Sequence, residues 1–270
     1  MLKWLICIAA QLLLVSSPHA GTQELHVNSF KQLNSHVDKL DKKTLIVIDV
    51  DGVILTTKDS FFSPINRKQR HKLFRKLESK LGKTEKKRLT ELIFGQIEYK
   101  ILDSTFIDFF TRVTRSEATV IALTSMGPNN RYVDQERLRV KTLKDLGYTF
   151  RSKDSFDLSI NDETRKQPIV IEGIIFARGF EKGIVLKHYL KGQDYNKVIV
   201  IDDMSTHLIS IKNNLDKIVQ NLVLVEYKFD DYNNSNLDSD MHKFQIDYLL
   251  RTGIWLTDLQ AKIAMKLAKE

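Results

Sequence analysis

Cysteine is nearly missing from this chain: Cys7 is the only one in 270 residues. A disulfide framework is therefore excluded, and so is any zinc site built on thiolates. The seven histidines are scattered, with no His-x-x-x-His pair to hold a metal from one helix face. Proline (four) and glycine (eleven) are too sparse for a flexible or polyproline linker. No internal repeat, Gly-x-Ser-x-Gly elbow or Walker-type phosphate loop occurs. Long apolar runs are lacking too. The longest, Trp4 to Val15, falls short of the roughly 20 residues that a membrane-spanning helix needs.

That run nevertheless has a meaning. Lys3 precedes it and the small, polar Ser16-Ser-Pro-His-Ala20 follows, which is the pattern of a secretory signal peptide over residues 1–20. Cleavage after Ala20 is the first expectation and after Ser17 the alternative. Cys7 lies inside the apolar segment and too early for a lipid-modified cysteine. The expectation is an exported protein, periplasmic or secreted, with no transmembrane span and no cysteine in its mature part (residues 21–270).

What the chain has in excess is positive charge, net +8 with a pI near 9.3. Nucleic acid or an anionic membrane surface must be weighed as partners. No nucleic-acid motif appears, and aromatics are not interleaved with the charge runs, so the reading disfavours nucleic acid. Electrostatic contact with an anionic membrane stays open.

The chemistry is concentrated at Leu45-Ile-Val-Ile-Asp49-Val-Asp51-Gly52-Val53. Four apolar residues in a row predict a strand covered on both faces, as in a parallel sheet, whose ligands bind beyond the carboxyl ends of the strands. Gly52 lets the backbone turn there, so Asp49 stays at the strand tip and Asp51 swings over the end. Two carboxylates at that place serve a cation or a transferable proton, or else simply cap a turn.

Three further segments follow in order. Thr119-Val-Ile-Ala-Leu-Thr124-Ser125 is an apolar strand ending in hydroxyls. Lys182 opens an apolar-periodic helix with Ile184, Leu186 and Leu190. Val198-Ile-Val-Ile-Asp202-Asp203 is a strand ending in an acidic pair. Together with Asp49-Val-Asp51-Gly52-Val53, this series resembles the four motifs of the haloacid dehalogenase superfamily of phosphohydrolases. The signal peptide and the Phe244-Gln-Ile-Asp-Tyr-Leu and Thr252-Gly-Ile-Trp-Leu-Thr-Asp258 segments further resemble a family of exported bacterial proteins of unassigned function within it.

The resemblance implies a role for each residue. Asp49 would attack phosphorus to form an aspartyl-phosphate. Asp51 would protonate the leaving oxygen and then activate water. Thr124, with Ser125 beside it, would bind phosphoryl oxygens, and Lys182 would neutralise charge on nucleophile and phosphate. Mg²⁺ would be held by Asp49, the Asp51 carbonyl and the acidic pair, with Asp203 preferred as direct ligand and Asp202 as supporting acid near Lys182. His188 and His207 are read as structural residues beside the site. The implied activity is a secreted, Mg²⁺-dependent phosphatase acting on phosphate monoesters of small molecules. The alternative is a catalytically reduced binding protein whose basic helical cap engages anionic lipid or other anionic partners.

Alternating strands and helices imply an α/β three-layer sandwich with a central parallel, Rossmann-like sheet. Residues 61–100 are expected as a small helical cap inserted after the first strand, Leu73, Leu77 and Leu81 turned inward and the runs at residues 67–72 and 83–88 turned outward. Such runs serve as a solvated face, as a gatherer of anionic substrates, or as both. A hairpin near Ile169 to Ala177 and a helix from Asn129 to Leu146 are expected too. After a polar loop from Phe229, helices over Met241 to Leu250 and Leu256 to Leu267 are expected to pack on the sheet.

Overall fold

The computed structural model describes residues 21–63, 66–127, 134–151, 158–160, 162, 164–229 and 238–268. The expected signal peptide, the start of the helix expected from Asn129 and most of the loop after Phe229 lie outside these residues.

The sheet is organised by β2 (Thr44–Ile48), buried at every position. It pairs in parallel with β8 (Lys197–Asp202) on one side and β5 (Thr119–Thr124) on the other. Beyond β8 lie β9 (Asn221–Tyr227) and, at the edge, β1 (Gln23–Val27), both parallel. Beyond β5 lie the parallel β7 (Ile174–Phe176) and its antiparallel hairpin partner β6 (Ile169–Ile171). The order is β1-β9-β8-β2-β5-β7-β6, a mostly parallel sheet in an α/β sandwich. The strand carrying the aspartates is thus second in the chain. β1 had no clear signal because Gln23 and Glu24 are polar and its burial is slight.

Strand alternation sorts β2 into two cores. Ile46 and Ile48 face a cluster that contains Phe30, Phe106, Phe109 and Tyr227, while Leu45 and Val47 face the opposite cluster. On the first face lies α3 (Phe106–Arg115), whose Phe106, Phe109, Phe110 and Val113 follow helical spacing and are all buried. The short α1 (Asn34–Val37) continues a 3₁₀ turn capped reciprocally by Ser29 and Gln32. Phe150, which follows α4 (Gln135–Asp145), and that helix's Val140 and Leu143 complete this core. The second face is covered by α5 (Lys182–Tyr189) and α6 (Ser205–Leu215). Gly183 permits their close approach, since a Cβ there would meet the Ser210 carbonyl.

Beyond the carboxyl ends of the strands stands a smaller unit. β3 (Leu55–Thr57) and β4 (Tyr99–Ile101) form an antiparallel ribbon, and between them runs α2 (Arg67–Gln96), broken at Gly82, where φ is +79°. Leu77 is buried and Leu73 partly so, whereas Leu81, next to the break, is exposed. Lys68, Lys72, Lys80, Lys83 and Lys87 face solvent.

The C-terminal helices correct one expectation. α7 (Ser239–Thr252) does not pack on the sheet: its Ile246 and Leu249, with Trp255, join Phe61, Leu77, Leu89, Ile93 and Ile97 of the inserted segment in a third cluster. Polar ties fix the match. Asp59 accepts from Trp255 Nε1 and from the Asp258 backbone N–H, both at 3.1 Å, and the Ser60 N–H donates to Asp258 at 2.8 Å at the start of α8 (Asp258–Leu267). No helix among the described residues is long and apolar enough to cross a membrane.

Candidate active site

The site forms where β2, β5 and β8 end together. Ile48 pairs with Ile201 on one side and Ala122 on the other, so Asp49 comes level with Asp202 while Thr124 ends the neighbouring strand. Immediately after Asp49 the chain turns back: the N–H groups of Ile54 and Leu55 both donate to the Val50 carbonyl, at 3.0 and 2.8 Å. Gly52 supports this turn with φ at +89°, and a Cβ there would sit 2.6 Å from an oxygen of Asp203. The glycine is needed both for its backbone angle and for that close approach.

Lys182 is the hub. Its ammonium, almost wholly buried at the start of α5, lies 2.7 Å from Asp49 and 2.6 Å from Asp202. Burial would push its pKa down, but the two carboxylates raise it above the ordinary value. Asp49 also accepts from the Val50 N–H at 2.7 Å. Burial lifts its pKa, Lys182 opposes this, and Asp202 and Asp203 add to the rise. Asp202 is held low against burial by Lys182 and His207. Asp203 is raised by burial and by Asp202. One ammonium thus serves three crowded carboxylates.

The donor set suits a hard divalent cation. The Asp203 carboxylate lies against the Asp51-Gly52 turn and accepts no hydrogen bond from another described residue. Asp202, in contrast, is engaged by Lys182, by the Met204 N–H at 2.9 Å and by His207 Nδ1 at 3.0 Å. Ligand atoms of Asp49, Asp202 and His207 also fall within 4.8 Å of one another, but Lys182 already joins the two carboxylates. Oxygen ligands from Asp49, the Asp51 carbonyl and Asp203 match the preference of Mg²⁺ better than a set containing imidazole.

Asp51 points elsewhere. Its half-exposed carboxylate pairs with Arg139 Nη2 at 2.8 Å. Arg139 is buried, its guanidinium carbon 4.1 Å from the Tyr99 ring centre, and its Nε and Nη1 find no acceptor among the described residues. Thr124 is buried, with Oγ1 accepting from the Met126 N–H at 3.2 Å. Ser125 is exposed, its Oγ 3.2 Å from His207 Nε2.

All the residues expected from sequence therefore gather at one end of the sheet. Asp49, Lys182 and Asp202 touch, Asp203 flanks Gly52, and Thr124 and Ser125 line the other side. Arg139 was missed, although a signal existed: on α4 it falls in the inward row Glu136, Arg139, Val140, Leu143, where an arginine is out of place unless paired. His207, read as structural, is placed between Asp202 and Ser125.

The profile of a family described as "Protein of unknown function (DUF2608)" matches residues 26–262. The chain belongs to that family. A relative, "Uncharacterized protein RP296" of Rickettsia prowazekii (strain Madrid E), is 24% identical over 227 residues, 81% of this chain and 82% of its own. A solved structure described as a "putative haloacid dehalogenase-like hydrolase" from Burkholderia xenovorans LB400 aligns with 72% of this DUF2608 chain and 99% of its own, at 7% identity and a TM-score of 0.32.

Proposed function

We propose that this protein is an exported phosphatase that hydrolyses phosphate monoesters through an aspartyl-phosphate at Asp49, with Mg²⁺ as cofactor. The observation that carries the reading is the Lys182 ammonium clamped between Asp49 and Asp202, with Asp51 set apart on the opposite side of the turn. Such a division keeps one carboxylate beside a cation as nucleophile and leaves the other to handle protons.

In this reading Asp49 attacks phosphorus in line with the leaving oxygen, and Asp51 delivers a proton to that oxygen as the bond breaks. Asp51 then takes a proton from the water that opens the aspartyl-phosphate. Lys182 offsets the charge on Asp49 and on the phosphoryl oxygens, and Thr124 and Ser125 donate to those oxygens. Asp49, the Asp51 carbonyl and Asp203 would hold the Mg²⁺, which supplies charge neutralisation at the phosphoryl group. Asp202 keeps Lys182 in place.

The inserted helical unit, residues 61–100, serves as a cap in this reading, and its solvent-facing lysines attract anionic substrates. Residues 1–20 direct export. The test is phosphate release from a panel of phosphomonoesters, with Mg²⁺ and with chelator, beside Asp49→Asn. Release that requires both Mg²⁺ and Asp49 is the expected result. A folded, Mg²⁺-supplied protein that releases none from a broad panel would overturn the reading and favour a binding protein that uses the same basic helix.

A further inference from the structure

Between the cap and the sheet lies a cavity of about 440 Å³. Its lining includes Asp51 and Arg139 but not Asp49, Lys182 or Thr124. It therefore opens on the side of the site where a departing group would be protonated, not where phosphate would be held. Phe62, Phe94, Tyr99, Met126 and Leu138 form its apolar walls, and the rest of the lining is polar apart from Gly127.

Those walls are fixed in place before any ligand arrives. Phe62 packs on Trp255 with ring centres 5.4 Å apart and on Phe94 at 6.0 Å. Arg70 pins the same segment by donating to the carbonyls of Phe61 and Ser63, at 2.8 and 3.2 Å, with its guanidinium 5.7 Å from the Phe62 ring centre. Tyr99 is held on the other wall by the Arg139 guanidinium. A polyol such as a sugar would lay much of its polar surface against the rings of Phe62, Phe94 and Tyr99, where it finds no hydrogen bond. A flat apolar group would give up no hydrogen bonds of its own and fill an aromatic slot.

Building on the phosphatase reading, we infer that the substrate is a phosphate monoester whose alcohol part carries an aromatic or similarly planar apolar group, seated between Phe62, Phe94 and Tyr99. The phosphate lies over Asp49 and the ester oxygen faces Asp51. Specificity arises in the cap because the phosphate-binding residues are common to all candidate esters.

The experiment compares 2-phenylethyl phosphate with glycerol 3-phosphate and glucose 6-phosphate, alkyl esters whose leaving alcohols are of comparable basicity, so the ranking reports recognition and not leaving-group chemistry. Acetyl phosphate, which is too small to need the cavity, is run alongside. The expected result is a kcat/KM for 2-phenylethyl phosphate at least about tenfold above both polyol esters. In Phe94→Ala, KM for 2-phenylethyl phosphate is expected to rise about tenfold with kcat nearly kept, the mark of lost ground-state binding. Thermal unfolding of the variant checks that it is folded. Polyol esters equal to or better than 2-phenylethyl phosphate, with acetyl phosphate hydrolysed in an Asp49-dependent manner, would overturn this inference and leave the phosphatase reading standing. No hydrolysis of any of the four would overturn both.

Discussion

Arg139 closes an ion pair on Asp51 at 2.8 Å from a position that is itself buried beneath Tyr99. A guanidinium so placed fixes where the half-exposed carboxylate of Asp51 points, and it does so from a helix of the sheet layer and not from the cap.

If Asp51 transfers the proton to the leaving group, freeing it from Arg139 costs rate more than binding. Arg139→Gln is expected to lower kcat about 10-fold to 100-fold with little change in KM, since general acid catalysis contributes about 10² to 10⁴ and misalignment forfeits part of it. Arg139→Lys, which keeps a charge but not the fork, is expected to recover part of the loss. Steady-state kinetics on both variants, with unfolding curves to separate folding from alignment, check this. Equal falls in stability and no change in kcat would reduce Arg139 to a packing role.

Lys182 makes a sharper prediction, because it lies between two buried carboxylates. Removing one partner of a buried ion pair typically costs about 3–5 kcal/mol, so Lys182→Met is expected to be both inactive and strongly destabilised. Burial already lifts Asp49, and without the ammonium both carboxylates would titrate above their unfolded values. The native variant then binds more protons than its unfolded chain, so its stability is greatest in acid and is lost as pH rises. Urea unfolding of variant and wild type at about pH 5 and about pH 8 should show the deficit widening at the higher pH. A deficit independent of pH would mean that the two carboxylates are not what the variant leaves exposed to each other.

Asp203 bears on the metal. Its carboxylate rests against Gly52 and takes no hydrogen bond from another described residue, so a bound cation would be its partner. Millimolar Mg²⁺ is expected to raise the melting temperature of the wild-type protein, as any ligand of the native state does. Asp203→Asn should lose most of that rise while keeping its metal-free stability, and Asp202→Asn should instead lose stability because Lys182 and His207 lose their anionic partner. If Asp203→Asn responds to Mg²⁺ as the wild type does, the cation is held elsewhere, and the Asp49, Asp202 and His207 group becomes the next candidate. Gly52→Ala tests the same crowding by another route, since a Cβ there would press on Asp203.

The strands and their acidic tips were legible because burial on both faces writes long apolar runs that end abruptly in polar residues, as at Ile48-Asp49 and Ile201-Asp202. One sheet-covering helix was legible through its apolar spacing, that of Ile184, Leu186 and Leu190 after Lys182, whereas the helix that carries Phe106, Phe109, Phe110 and Val113 was not singled out. What escaped was set by tertiary contact. β1 is an edge strand with polar residues, and β3 and β4 are three residues each, too short for any period to register. The partner of the C-terminal helices could not be read at all. An apolar stripe such as Met241, Ile246 and Leu249 states that a helix is buried on one side, not against what, and the cap supplied the surface. Arg139 and His207 escaped because a single polar residue on an inward face looks alike whether it stabilises a core or serves a site.

The docking of α7 on the cap can be probed through its one buried histidine. His242 is 3% exposed, lies edge-on to Phe61 with ring centres 5.3 Å apart, and has Nε2 3.0 Å from Ser60 Oγ. Burial lowers its pKa below the ordinary histidine value, against the opposing pull of Asp258 and Asp238. A depressed pKa means that the native state binds fewer protons than the unfolded chain near pH 6, so the contact contributes fully above the unfolded histidine pKa of roughly 6.5 and is lost as pH falls through the lower folded value. The other charged groups that face this junction are Arg70, Lys72, Lys76 and Lys243. Acidification from neutrality is therefore expected to loosen α7 and, with it, the Trp255 support of the cavity wall. The melting temperature should fall between about pH 7 and pH 5, and His242→Gln, which can still reach Ser60 but does not titrate, should flatten that slope. Hydrogen exchange in α7 and around Trp255 should accelerate over the same interval while the sheet amides stay protected. An unchanged slope in His242→Gln would remove this histidine as the source of the acid sensitivity, and Asp49 and Asp203 could not take its place, because carboxylates with raised pKa values favour the native state on acidification.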